Sequence, residues 1–191
     1  CALGVALSLT PAAVPTADPF APVTPPEAEP VALVGAATSD QMAMFDWATE
    51  RYSVAGLELP PMEVVFHDDS AACGGNMAIA VTGAVTRIEV CTDADAPVIV
   101  TKRTLLHELA HIWAHATLTD ADRAALLELR GLDEWSDAQQ WSDRGTEQAA
   151  EIIMWGLIDQ EILLLTLEDR EPEGLAEAFT LLTGTEPPLD R

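Results

Sequence analysis

The hydrophobic residues change period several times along the chain, and each change marks an element. Between residues 40 and 54, Met42, Met44, Phe45, Trp47, Ala48 and Tyr52 support a helix, with Ser39 placed to cap its start. Pro60-Pro61 breaks the chain. Met62–Phe66 is apolar and partly β-branched and reads as a strand, followed by the polar loop His67-Asp68-Asp69-Ser70. Met77–Thr82 and Val85–Thr92 flank Gly83 and read as a hairpin. The clearest helix covers 101–117, where Leu105, Leu109, Ile112, Trp113 and Ala116 form one apolar stripe. A helix over 119–130 carries acids in its first turn and stops at Gly131. After a loop at 132–144 with Trp135 and Trp141, Thr146 is placed to cap a helix through Leu157. That helix is apolar on nearly every side and is expected to be buried. A last helix spans 172–183, opening on Pro172 and stopping near Gly184. Helix, then strands, then helices imply an α+β fold with a small antiparallel sheet. A chain of 191 residues supports one real core rather than two, so 39–191 is read as a single domain.

The residues before that domain have a different character. Residues 1–17 are small and apolar and end in Ala, Pro and Thr, as a signal-peptidase site does. With no initiator Met and no basic start, they read as a truncated signal peptide, too short to span a bilayer. The alternative is a lipid anchor on Cys1. Both place the folded part outside the cytoplasm, secreted or extracytoplasmic. Residues 18–38 read as a disordered Pro/Ala-rich linker, since seven of the thirteen prolines fall between Pro11 and Pro30. The other two cysteines, Cys73 and Cys91, flank the start and end of the expected hairpin. They are expected to form a disulfide in an oxidising compartment, worth roughly 3 kcal/mol for a loop of that size. Two buried free thiols are the alternative. Lys plus Arg is 9 against 32 Asp plus Glu, a net charge of −23. Such a surface disfavours nucleic acid and anionic membranes as partners.

Candidate chemistry concentrates on the 101–117 helix. His107-Glu108-Leu109-Ala110-His111 fits H-E-x-x-H. Residues i and i+4 share one helix face, so both imidazoles can reach a single Zn2+ ion. Glu108 points about 100° around the axis, where it can take a proton from a water on the metal. The apolar stripe lies opposite the two histidines and anchors the helix. On the buried helix that follows the loop, Glu147 and Glu151 share a face. Burying two carboxylates is costly unless positive partners meet them. A zinc ion answers one, and a ligating histidine's N–H the other. His115 lies one turn further on, about 12 Å from His107 along the axis, too far to share the ion on a straight helix. It reads as a structural or surface residue near the cleft. His67 and Tyr52 are candidates to stabilise an oxyanion, without support from their spacing. Trp113, Trp135, Trp141 and Trp155 read as core, and Arg144 as part of a surface ion pair.

H-E-x-x-H followed after a few dozen residues by Glu147-Gln148-Ala149-Ala150-Glu151 resembles the gluzincin zinc metallopeptidases and their minimal single-domain members, over residues 62–158. The resemblance implies a zincin-like fold and a peptide or protein substrate. It implies Glu147 as third metal ligand beside His107 and His111, Glu108 as general base, and Glu151 as the residue that orients one of the histidines. The family more often has Asp where this chain has Glu151, which leaves the roles of the two glutamates open. It also implies that an edge strand just before the metal helix holds the substrate, here Arg87–Cys91. The alternative is a catalytically inactive zinc-binding or interaction module on the same fold.

Overall fold

The structure, a computed structural model, describes residues 31–81, 85–93, 95–160, 164, 167 and 170–188. The export-like segment, the linker up to Pro30 and the turn at Gly83 lie outside the described residues. The described elements are β1 (Ala32–Leu33), α1 (Ser39–Val54), β2 (Glu63–His67), β3 (Ala78–Val81), β4 (Arg87–Cys91), α2 (Val98–Thr117), α3 (Asp120–Arg130), α4 (Gly145–Leu157) and α5 (Pro172–Thr183). The α+β class holds.

Local chemistry explains most boundaries. Thr38, not Ser39, caps α1: its hydroxyl accepts from Gln41 N–H while the Gln41 side chain accepts from Thr38 N–H, a capping box. Thr119 and Asp122 repeat the device on α3. Gly131 and Gly184, with φ of 64° and 72°, close α3 and α5 in a left-handed conformation that other residues rarely adopt. Helix α2 begins at Val98 rather than at residue 101. Its first turn is the β-branched run Val98-Ile99-Val100 after Pro97, with no side-chain cap, so no start signal is written there. Helix α4 begins at Gly145, one residue before Thr146, with Arg144 at the cap position and no side-chain cap; the Trp135 ring lies against this first turn, and a Cβ on Gly145 would fall 2.6 Å from it.

The sheet corrects the antiparallel expectation. Its order is β1-β2-β4-β3; β1–β2 and β2–β4 are parallel, and only β3–β4 is antiparallel. The hairpin is present, but the long connection after β2 puts β4 beside β2 and leaves β3 outside. The expected substrate-holding strand Arg87–Cys91 is therefore interior, and the edge belongs to Ala78–Val81. Ala32–Leu33, read as linker, instead pairs with Glu63–Val64 and extends the other edge. The expected disulfide between Cys73 and Cys91 is formed, with Cα atoms 5.9 Å apart. It ties the end of β4 to a short turn at Ser70–Cys73 whose start is capped by Asp69.

Alternate residues of β2 and β4, Val64, Phe66, Ile88 and Val90, are buried on the sheet's helix-facing core. Leu105, Leu106 and Leu109 of α2 fill the next layer, and Ile152, Ile153 and Met154 of α4 pack with them in the same core. Every residue of α4 except Thr146 is buried, as its all-round apolar pattern requires. Phe179 of α5 covers Gly156 so closely that a Cβ there would lie 2.2 Å from the ring. The stripe on α2 holds except at Ala116, which is exposed where the helix runs past the core. Tyr52 donates from its buried hydroxyl to the Leu106 carbonyl, 3.1 Å away, and fixes α1 against α2.

Candidate metal centre

The seam between α2 and α4 carries the polar residues of the core. His107 and His111 project from successive turns of α2, and Glu147 projects from the first turn of α4. Their Nε2 atoms lie 3.1 Å apart, and each lies 3.2 Å from the same Glu147 oxygen, Oε2. The imidazole rings are 84° from coplanar, so each aims its own nitrogen at the shared centre. Ligand atoms about 2.1 Å from a tetrahedral ion stand about 3.4 Å from one another. The observed triangle is close to that size. These three residues could hold a metal ion.

The electrostatics fit such a centre. Burial would raise the Glu147 carboxyl, but hydrogen bonds to His107 and His111 and the charge on both imidazoles outweigh it and pull it down to about 2. For His111, burial lowers the pKa, but the Glu147 hydrogen bond and the charges of Glu147 and Glu108 leave it raised. Burial, only partly offset by the two histidines, raises Glu108 above the ordinary carboxylate range. Glu108 and His107 both line a cleft of about 510 Å³. Its other walls include Met77 and Ala78 at the sheet edge, Trp141 and Ser142 of the loop before α4, and Arg103 and Thr104 of α2.

Glu151, expected to orient a histidine, is fully buried and meets Arg103 instead, whose Nη2 donates to its Oε1 at 2.9 Å. The buried Nδ1 of His107 has no hydrogen-bond partner among the described residues. The Arg103 guanidinium, one turn before His107 on α2, is what meets the Glu151 carboxylate. His67 lies 3.5 Å from Glu89, and Tyr52 is tied to Leu106, so neither oxyanion candidate points into the cleft. His115 does lie near the centre, lining a smaller cavity with His111, Arg123 and Trp135. Trp113 and Trp155 are buried and Trp135 packs against the core, but Trp141 is 57% exposed at the cleft mouth. Arg144, expected in an ion pair, donates to the Ala138 carbonyl and stacks over Trp141.

Comparison with known protein families, curated proteins and solved structures finds no match. The chemistry of the centre is therefore read from its own residues. Sequence reasoning missed Arg103 and Thr104. The spacing of Arg103 from His107, one turn on the same face, was the available signal.

Proposed function

We propose that the protein is a secreted zinc metallopeptidase, gluzincin-like in its motif order and zincin-like in fold. One observation carries this reading: His107, His111 and Glu147 converge on one point, and Glu108 stands beside it in an open cleft. Two imidazole nitrogens and a carboxylate oxygen form a donor set that suits Zn2+. Zinc held by three protein ligands keeps one position open and supplies Lewis acidity, which activates water and polarises a carbonyl.

The chain's own residues do the rest. His107, His111 and Glu147 would hold the ion, and the Glu108 carboxylate would accept the proton of the attacking water and return it to the leaving amine. The outer edge of β3 offers free backbone groups to an extended peptide, the part the sequence had given to β4. The disulfide suits an oxidising, extracytoplasmic setting. No helix among the described residues is long and apolar enough to cross a membrane.

Glu108→Gln tests the reading. The variant is expected to keep one equivalent of zinc by metal analysis and to lose peptide hydrolysis by about 10²-fold or more. Activity that persists removes Glu108 as the base. A zinc-loaded native chain that cleaves nothing in a mixed peptide library supports the inert metal-binding module instead.

A further inference from the structure

The floor of the cleft is built from two donors that the proposed reaction does not use. Arg103 sits one turn before His107 on α2, with its side chain mostly buried. Its Nη2 donates to Glu151, but its Nε is buried with no partner among the described residues. The neighbouring Thr104 Oγ1 is likewise buried with no partner among them, whereas Thr101 on the same helix bonds Thr92. Buried donors left unpaired are expensive, and natural structures rarely leave two side by side without a role. Both residues line the same cleft as His107 and Glu108.

The walls above this floor set apolar Met77, Ala78 and Trp141 beside uncharged polar Asn76, Gln140 and Ser142. Met77 and Trp141 are exposed at the mouth. The short turn carrying Trp141 is fixed from below, because Gln148 of α4 donates to the Ser142 carbonyl at 2.8 Å. Arg144 covers the indole from the side. The acids lining the cleft are Glu108, which serves as base, and Glu151, which is already paired with Arg103. Around these, the rim residues Asn76, Met77, Ala78, Gln140, Trp141 and Ser142 are all uncharged, although the chain carries a net charge of −23.

We infer that Arg103 and Thr104 form the floor of a subsite that takes a carboxylate of the peptide substrate, with Met77 and Trp141 flanking the part of the substrate that lies between that carboxylate and the mouth. This rests on the peptidase reading. Arg103 and Thr104 both line the cleft; a carboxylate seated there would be met by the guanidinium N–H groups that Glu151 does not use, with the Thr104 hydroxyl as a further donor once its side chain turns towards the ligand. Glu151 acts as the positioning residue that holds Arg103 at the floor. An acidic side chain and a free C-terminus offer the same group, and the test separates them.

The test uses the full zinc-loaded chain carrying Glu108→Gln, so that peptides bind without turnover. Pentapeptides acetylated and amidated at their ends carry Glu, Gln or Leu at each position in turn, and a further set ends in a free carboxylate. Binding is followed by tryptophan fluorescence. Glu at one position is expected to tighten binding about tenfold over Gln and Leu, with the free-terminus set gaining instead if the carboxylate is terminal. Arg103→Met in this background is expected to erase the gain while one equivalent of zinc remains. Because that change strands a buried Glu151, Arg103→Met/Glu151→Met is measured alongside and is expected to show the same loss in a folded chain. Equal affinity across all sets, no binding to any, or a gain that survives loss of Arg103 overturns the inference. Cleavage of the same peptides by the native chain is scored separately. Selective binding without cleavage removes the peptidase and leaves the subsite, and cleavage without selectivity does the reverse.

Discussion

The α2–α4 seam meets the same problem twice and solves it differently. Four residues on along α2 and four back along α4, one buried carboxylate gives way to another: Arg103 faces Glu151, then His107 and His111 face Glu147. At the first turn the cation belongs to the chain and is permanent. At the second the partners are imidazoles, which are neutral in their ordinary state above about pH 6.5. The first pair is complete as it stands. The second closes its charge balance only by taking up protons or a metal. A pair closed in charge holds its own side chains in place without help, and an open one is left able to take up a metal.

The comparison breaks most visibly at the closed pair. Glu151→Ala leaves the Arg103 guanidinium mostly buried without its counter-ion, a loss expected to cost about 3–5 kcal/mol of stability. Urea unfolding of the metal-free chain measures it. Glu151→Ala should weaken zinc binding much less than it weakens the fold. A mild effect on unfolding, with a large one on metal affinity, would return Glu151 to the role of orienting a histidine.

How much of this could be read beforehand follows the same division. The second turn was legible because H-E-x-x-H fixes both side chains by helical spacing alone, and the buried face of α4 supplied the third atom. The class, the hairpin, the disulfide and the ends of α3 and α5 were legible too, since periodicity, cysteine placement and Gly or Pro punctuation are local signals. The order of the sheet was not, because a parallel partner for β2 is decided by a long connection and not by any residue within β4. The first turn was less legible for a related reason. Glu151 was assigned from the carboxylate's side alone, and nothing local says which of two neighbouring cations, the Arg103 guanidinium or an imidazole, will reach it.

The open pair breaks in the opposite way. Glu147→Ala removes one of three ligand atoms, and zinc affinity should fall by about 10²-fold or more, beyond the 10–100-fold typical of groups that only support a ligand. Stability of the metal-free chain should fall less than in Glu151→Ala, because the histidines can remain neutral without Glu147. A metal titration beside the unfolding curves checks both. If Glu151→Ala weakens zinc binding more than Glu147→Ala does, the two glutamates exchange roles.

The smallest effect sharpens the contrast through pH. In the metal-free chain the Glu147 carboxyl is pulled from its ordinary 4.5 to about 2, so its contribution to stability is complete above about pH 4.5 and lost as pH falls towards 2. His111 is raised above its ordinary 6.5, so its contribution is complete below 6.5 and lost as pH rises through the raised value. The open pair therefore supports the metal-free fold most between those two ordinary values. The melting-temperature difference between the native chain and Glu147→Gln, measured in chelator, should peak between about pH 4.5 and 6.5 and shrink on both sides. Adding zinc should reverse the basic limb, because a metal needs unprotonated imidazoles and its stabilisation grows with pH. A difference that stays constant up to pH 9 in chelator would mean that proton uptake at His111 does not stand in for the metal, and the two turns would no longer differ in the way their side chains require.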